Sequence, residues 1–267
     1  MKNLFAFSTQ VLPLTCFLLI AVCNVFGQKL PNKQETSLVA PAKVKIDGKA
    51  NEWNFQAYNS ATDVFYTVAH DNENIYLVLK AADENISRKI VSGGITFVIN
   101  NAGKKSDADA ARITYPLFSY KDKPDVKFSL KATPADSIDY VISVNNKNLT
   151  SKGKFARTAG IKGVDTLLSV YNTDGISIAS SFDKEMHYVY ELAVSRKLLK
   201  DVVNAEGKFF YKIMLNPMAM DDLPGVIIKR DAGGNIMSIS VNKADVPPGV
   251  NQSISNITDV SAEYTLK

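Results

Sequence analysis

Cysteine is nearly absent from this chain, and its two copies, Cys16 and Cys23, both lie within the first 27 residues. The part that follows contains no thiol that could form a disulfide, bind a metal or act as a nucleophile. A chain of this length buries about 70–75% of its unfolded surface on folding, so a hydrophobic core suffices without covalent cross-links. The composition therefore excludes a small scaffold held together by disulfides.

Histidine and the common catalytic motifs are also scarce. The only histidines are His70 and His187, and the Gly-x-Ser-x-Gly pattern of a nucleophilic serine does not occur. Both histidines fall at the ends of predicted strands, where they are interpreted as ordinary surface or strand-end residues. The glycine pairs at 93–94 and 233–234 lack the flanking residues of a phosphate-binding loop. These absences predict a chain that is not an enzyme, has no catalytic residue and uses no cofactor.

The first 27 residues predict a signal peptide. Lys2 gives a basic start, residues 11–22 form an apolar run, and Gly27 stands directly before the predicted cleavage point. The run is shorter than the roughly 20 apolar residues of a membrane span. Lipidation at Cys23 is the alternative, and it is disfavoured because Val22 precedes the cysteine where a smaller residue is usual. We expect an exported protein that is periplasmic, associated with the outer membrane or secreted, in a bacterial envelope.

Basic residues are scattered through the mature chain. The leader contributes one basic residue and no acid, so the formal net charge of +4 becomes +3. Proteins that bind nucleic acids concentrate such charge beside stacking aromatic residues or within a known motif. Neither feature is found here, so we predict no nucleic-acid partner and no membrane-spanning segment in the mature chain.

Alternating apolar residues predict a fold built from β-strands. Val64, Tyr66 and Val68 share one face of a strand at 63–70, and residues 74–81 repeat the pattern after a polar turn. Both faces of these strands carry apolar residues, which predicts inner strands covered on both sides. Other predicted strands lie at 44–46, 95–100, 112–117, 166–171, 176–182, 187–194, 208–215 and 260–266.

The spacing of these segments predicts an antiparallel β-sandwich. Turn residues fill the gaps between strands, as in two-sheet sandwiches with jelly-roll or immunoglobulin-like order. The fold class is all-β, or β-rich with short helices, one of which begins at the N-cap Asp83 and ends at Gly93-Gly94. Residues 28–42 are predicted to form an N-terminal tether. Residues 43–267 form a single domain with irregular insertions near 119–164 and 216–257, and the first insertion is either a crossing segment or a helix.

Three segments resemble the family 9 carbohydrate-binding-module-like group of β-sandwiches, which is related to the DOMON superfamily. They are IDGKANEW from Ile46, DNENIYLVLKAAD from Asp71, and YVYELAVSRKLL from Tyr188. The resemblance implies the sandwich fold and makes carbohydrate the leading class of ligand, by analogy of fold alone. The segment Ile90–Ile99, followed by Gly103-Lys104-Lys105, also looks like a set of uncharacterised exported bacterial proteins with this sandwich, a resemblance that implies no activity.

The chain also departs from this group. Sugar-binding members present two exposed tryptophans, often beside calcium, whereas this chain has one tryptophan, Trp53. Haem-binding relatives use methionine and histidine as axial ligands, and neither histidine here has a methionine at a suitable spacing. The resemblance therefore implies no particular ligand-binding residue, metal site or cofactor.

Trp53 and Glu191 are each interpreted as structural residues. Trp53 offers a flat face on which a sugar could stack, but its position matches the structural tryptophan of the group, so we expect it to fill the core. Among the acidic residues, Glu191 is the strongest single candidate for a catalytic carboxylate in glycoside hydrolysis, but it lies on a predicted strand within a structural motif. We expect it to accept hydrogen bonds from nearby backbone or to pair with a cation.

Other acids and aromatics are weaker candidates. The clusters Asp71–Asn74, Asp107 with Asp109, and Asp221 with Asp222 lack the ligand spacing of a known calcium loop, so we predict no metal site. Tyr58, Tyr115 and Tyr120 lie near strand ends and are the candidate exposed aromatics.

Three functional hypotheses follow from the sequence. The first is a non-catalytic, exported binding or accessory module with carbohydrate as its ligand. The second is a structural or protein-interaction protein of the envelope that binds no small molecule. The third is a secreted glycoside hydrolase that uses carboxylates from the 119–164 insertion.

Overall fold

The computed structural model describes residues 29–101, 109–118, 122–131, 133–246 and 252–266. The signal peptide predicted at 1–27, Cys23, Asp107 and Tyr120 all lie outside these ranges. The described strands are β1 (Ala57–Asn59), β2 (Val64–His70), β3 (Asn74–Ala81), β4 (Ile95–Asn101), β5 (Ala111–Tyr115), β6 (Phe155–Ala159), β7 (Leu167–Ser169), β8 (Ile176–Phe182), β9 (Tyr188–Ser195), β10 (Lys208–Leu215), β11 (Val226–Arg230), β12 (Ile236–Val241) and β13 (Thr258–Thr265). The described α-helices are α1 (Glu84–Gly93) and α2 (Ile138–Lys152).

The strands form two antiparallel sheets and a separate ribbon. The first sheet has the order β1-β2-β3-β9-β8, and the second has the order β13-β10-β4-β5-β6-β7. Strands β11 and β12 pair only with each other among the described residues. The predicted antiparallel, two-sheet β-sandwich is confirmed.

The main core lies between the two sheets. Tyr66 of the first sheet meets Tyr211 of the second with their ring centroids 6.4 Å apart, and Tyr190 meets Tyr115 at 6.3 Å. All four side chains belong to one buried apolar cluster. Since alternate residues of each strand point inward, burial of this one face fixes the register of the strands.

The other face of the first sheet is also covered. Ala69, Tyr76 and Val78 point away from the main core and pack with Trp53, in a smaller cluster supported by residues between 38 and 55. Strands β2 and β3 are therefore covered on both sides, as their sequences predict. Trp53 is buried, but it packs on the outer face of the first sheet and not between the sheets.

Segments 44–46 and 216–257 differ from expectation, and the structure decides between the two alternatives left open for 119–164. Residues 44–46, predicted as a strand, do not pair in a sheet, and the first strand is β1. The 119–164 segment contains α2, in which Ile142, Asn145 and Leu149 are buried at helical spacing while Tyr140 is exposed. The segment 216–257 contains the β11–β12 ribbon.

The predicted tether at 28–42 makes ordered contacts where it is described. The Gln34 side chain exchanges two hydrogen bonds with the backbone of Val68, each 2.8 Å long. Further along, the backbone of Leu38 and Ala40 bonds to that of His70. These contacts cover the edge of β2 beyond the end of the short strand β1.

Candidate functional site

Helix α1 forms one wall of a cleft beside the sandwich. The Asp83 carboxylate caps the helix by accepting hydrogen bonds from the N–H groups of Asn85 and Ile86, as its place in the sequence predicts. Ile86 and Ile90 lie one turn apart and bury one side of the helix in the core. The opposite side presents Glu84, Arg88 and Ser92 to the cleft.

Residues 122–131, together with Phe118, form the opposite wall, largely without regular secondary structure. Asn145 of α2 holds this segment in place, because its side chain accepts a hydrogen bond from Lys127 N and donates one to Lys127 O, at 3.0 and 2.8 Å. The ring of Phe128 packs edge-on against Phe182 of β8, with centroids 6.0 Å apart. The wall is therefore fixed by side-chain contacts to α2 and the first sheet.

Asp222 joins the two walls to a third segment, residues 217–224. One of its carboxylate oxygens accepts a hydrogen bond from the Ser92 hydroxyl, and the other lies 2.6 Å from the Lys123 ammonium. Ser92 also accepts a hydrogen bond from Ala219 N. These bonds connect α1, the 122–131 segment and the 217–224 segment around one space.

The cleft has a volume of about 650 Å³ and a mixed lining. Its apolar part contains Phe118, Phe128, Val91 and Met218. Among its described residues the charged side chains balance, with three acids and three bases: Asp83, Glu84 and Asp222, and Arg88, Lys123 and Lys131. Small-molecule sites combine apolar surface with a few polar groups in this way, and the balance of charge suits a neutral, polar ligand.

Arg88 is positioned by contacts on two sides. Its guanidinium makes two hydrogen bonds to one oxygen of Glu84, at 2.7 and 3.2 Å. Its central carbon lies 4.7 Å from the centroid of the Phe128 ring, a cation–π distance. Since Glu84 sits one turn earlier on α1, this pair keeps a hydrogen-bond donor beside the aromatic surface of the cleft.

The acids of the cleft are already engaged in other contacts. Asp83 caps α1, Glu84 binds Arg88, and Asp222 binds Ser92 and Lys123. The cleft lining includes no acid from residues 119–164, where the hydrolase hypothesis places its carboxylates. The described part of this cleft therefore gives no support to that hypothesis.

Trp53 and Glu191 form a second polar arrangement, on the outer face of the first sheet. Trp53 is 5% exposed, and its indole N–H donates a 3.0 Å hydrogen bond to one oxygen of Glu191. The other oxygen accepts from the backbone N–H groups of Asp47, Gly48 and Lys49, at 2.8–3.2 Å. The structural interpretation of both residues is confirmed, with Glu191 acting through backbone hydrogen bonds.

Burial affects the ionisation of Glu191. The side chain is fully buried, and this desolvation raises its pKa to about 7, although the hydrogen bonds from Gly48, Trp53 and Asp47 act to lower it. A carboxylate that accepts four N–H donors and has no access to solvent anchors the 47–49 turn to β9. It does not face the cleft lined by Arg88 and Phe128.

The two histidines contact a tyrosine and an aspartate, respectively. His70 is at the end of β2, as predicted, but it is buried and not on the surface, and its Nδ1 lies 2.9 Å from the Tyr264 hydroxyl. His187 is half-buried just before β9, with its Nδ1 3.1 Å from Asp183. Glu185 also lies close to this pair, which was not predicted from the sequence.

Asp183, Glu185 and His187 lie in one turn, which the Asp183 carboxylate stabilises. Asp183 Oδ1 accepts hydrogen bonds from the backbone N–H groups of Glu185 and His187. Asp71 acts likewise, since its Oδ1 accepts from the N–H groups of Glu73 and Asn74 and its Oδ2 from the Tyr76 hydroxyl. The interpretation of the Asp71–Asn74 cluster as a hairpin turn is confirmed.

The remaining candidates lie apart from one another. Asp221 pairs with Arg230, while its neighbour Asp222 belongs to the cleft. Asp109 is described and exposed. Among the tyrosines, Tyr58 is half-buried and donates to Asp63, and Tyr115 is buried, so its prediction as an exposed aromatic is wrong. It is wrong because Tyr115 points inward on β5 and fills the space between the sheets.

Three main features of the cleft were not predicted from the sequence: Arg88, Ser92 and Phe128. Asp222 was noted only as a possible metal ligand. The Glu84–Arg88 spacing of four residues on a predicted helix was an available signal for the pair. No signal in the sequence indicated that Phe128 would lie under Arg88, because 40 positions separate them in the chain.

Similarity to known proteins is found among solved structures. No protein-family model matches the sequence, and no curated protein matches it. Among the described residues, no helix is both long enough and apolar enough to cross a membrane.

Two solved structures are similar to this chain, both of a carbohydrate-binding module of family 9 from Caldicellulosiruptor kristjanssonii. The complex with cellotriose is 11% identical, covers 87% of this chain and 92% of its own, and has a TM-score of 0.37. The complex with glucose is 12% identical, covers 86% and 94%, and also has a TM-score of 0.37. These structures belong to the group that the three motifs resemble, while the two-sheet sandwich itself rests on the strand pairing described above.

Proposed function

We propose that this chain is an exported, non-catalytic module that binds a neutral carbohydrate in the cleft between α1 and residues 122–131. The observation that carries the proposal is the described lining of the cleft, where phenyl rings lie beside acids and bases in equal number. Sugars present C–H groups that pack on aromatic rings and hydroxyl groups that both donate and accept hydrogen bonds. A charge-balanced site offers both kinds of partner without attracting an ion.

The contacts of Arg88 support this proposal. Its guanidinium is held by Glu84 and lies over Phe128, so little side-chain freedom remains to be lost when a ligand binds. Export is proposed from the basic, apolar and small-residue pattern of residues 1–27.

A glycan array of neutral, amino and uronic-acid oligosaccharides, followed by thermal-shift titration with each positive sugar, tests the proposal. A ligand that binds only the folded state raises the melting temperature as its concentration rises. We expect Arg88→Ala to weaken binding of a positive sugar by at least about tenfold, or about 1.4 kcal/mol. Arg157→Ala is the matched control, because Arg157 is exposed on β6 outside the cleft.

Two outcomes contradict the proposal. Equal affinity of the Arg88→Ala and Arg157→Ala variants would place any sugar outside the cleft. If no oligosaccharide on the array binds, carbohydrate is excluded as the ligand. That result would favour the alternative, an envelope protein that acts by protein interaction alone.

A further inference from the structure

The ribbon formed by β11 and β12 exposes an unusual amount of apolar surface. Every residue of β12 is exposed, including Ile236 at 50%, Met237 at 72%, Ile239 at 50% and Val241 at 59%. Soluble proteins seldom present contiguous apolar residues on one strand without a partner for them. This surface lies outside the cleft, whose lining includes no residue of the ribbon.

The other sheet edges of the molecule are protected. Strands β1 and β7 are three residues long, and β13 carries Asp259 and Glu263. The edge of β8 is covered by α2, since the Asn146 side chain bonds to both the N–H and the carbonyl of Phe182, at 2.7 and 2.9 Å. Short strands, charges and covering helices are the means by which proteins prevent unwanted pairing of strands.

The two edges of the ribbon differ sharply in this respect. Strand β11 carries Lys229 and Arg230, and the strand register shifts between them. Strand β12 reads Ile-Met-Ser-Ile-Ser-Val, with no charged residue and no proline. Within the described residues, β12 pairs with β11 on one side only, so its other side offers backbone groups to a further strand.

The sequence of β12 is complementary to itself. Cross-strand pairing places Ile239 opposite Ile228 and Val241 opposite Val226, so these four residues share one face of the ribbon. When two copies of β12 run antiparallel about a two-fold axis at Ile239, Met237 of each copy faces Val241 of the other. The same register pairs Ser238 with Ser240, so apolar residues meet apolar residues and hydroxyls meet hydroxyls.

We propose that β12 is a dimerisation strand, which pairs with β12 of a second copy of this chain to form a continuous four-stranded antiparallel sheet. A charge at position 239 would face its own copy across the two-fold axis, and β12 carries no charge. Ile239 lies at the axis and meets Ile239 of the partner copy.

Sedimentation velocity on the chain without residues 1–27, over a wide range of concentration, tests this proposal. We expect the wild-type protein to dimerise reversibly. Ile239→Lys puts two positive charges opposite each other at the axis and should raise the dissociation constant by at least about tenfold. Ile227→Lys is the matched control, because Ile227 is 47% exposed but lies on β11 and on the other face, opposite Ser240. This variant should dimerise like the wild type.

A charge-swap experiment tests the two-fold register directly. Ile239→Lys and Ile239→Glu should each be monomeric alone, and an equimolar mixture should form a heterodimer because opposite charges then meet at the axis. Circular dichroism verifies that each variant is folded, which is expected because the side chain is exposed in the monomer.

Four results would overturn the proposal. If the wild-type chain stays monomeric at every concentration, β12 does not pair with a second copy of this chain. The free edge of β12 would then be available only to an extended segment of another protein. A dimer that survives Ile239→Lys uses a different surface. If Ile227→Lys weakens dimerisation as much as Ile239→Lys does, the interface is not confined to the face that carries Ile239. If the mixture of Ile239→Lys and Ile239→Glu does not associate, the proposed two-fold register is wrong.

Discussion

The buried Glu191 carboxylate should make the stability of this protein depend on pH. Its pKa is raised from 4.5 to about 7 by burial, although the turn at 47–49 and the Trp53 indole donate hydrogen bonds to it. The folded state therefore binds this proton more tightly than the unfolded state. The resulting stabilisation is fully present below pH 4.5, the unfolded value, and is lost as the pH rises through about 7.

The size of the effect follows from the change in pKa. A shift from 4.5 to about 7 corresponds to on the order of 3 kcal/mol between the fully protonated and fully ionised limits. Most of this should be seen between pH 5 and pH 8, where the free energy of unfolding of the wild type should fall. Glu191→Gln removes the titrating group. The amide nitrogen of the glutamine would face an N–H donor, and one hydrogen bond would be lost. The substitution should therefore lower the free energy of unfolding by about 1–3 kcal/mol.

Urea denaturation at several pH values between 5 and 8, followed by circular dichroism, measures the effect. The contribution of Glu191 is the difference in pH dependence between the wild type and Glu191→Gln, since other titrating groups cancel in that difference. Glu263→Gln is the control, because this exposed acid on β13 should leave the wild-type dependence intact. Parallel curves for the wild type and Glu191→Gln would refute the reasoning.

Two further substitutions test the hydrogen bond between Trp53 and Glu191 and the close packing at the end of α1. Trp53→Phe keeps an aromatic ring on the first sheet but removes the N–H that bonds to Glu191, so we expect a loss of about 1–2 kcal/mol in urea denaturation. A variant as stable as the wild type would show that this bond contributes nothing. Gly93→Ala would place a methyl group 2.2 Å from the carbonyl oxygen of Pro217 at the end of α1. It should lower the free energy of unfolding by about 2 kcal/mol or more, whereas Gly233→Ala, whose nearest neighbours are side-chain atoms at 3.3 Å, should have little effect.

Local patterns in the sequence predicted most of the strands and both ends of α1 for clear reasons. The alternation around Val64 and Leu77 reports burial on a pleated strand, and Asp83 and Gly94 carry the hydrogen bonds that begin and end α1. The same approach could not decide residues 138–144, where apolar residues at every second position coincide with a helix whose buried residues recur every three or four positions. Short patterns of this kind fit both periods.

The sequence by itself determined the absence of thiol chemistry outside the first 27 residues, the β-rich class and most strand positions, because these depend on composition and on neighbours within one strand. Only the tertiary structure decided that Glu191 binds the 47–49 turn, that Arg88 lies over Phe128, and that Tyr115 points into the core. Each of these contacts joins residues far apart in the chain, and their geometry depends on how the sheets and loops pack together. Contacts of that kind leave no periodic trace in the sequence.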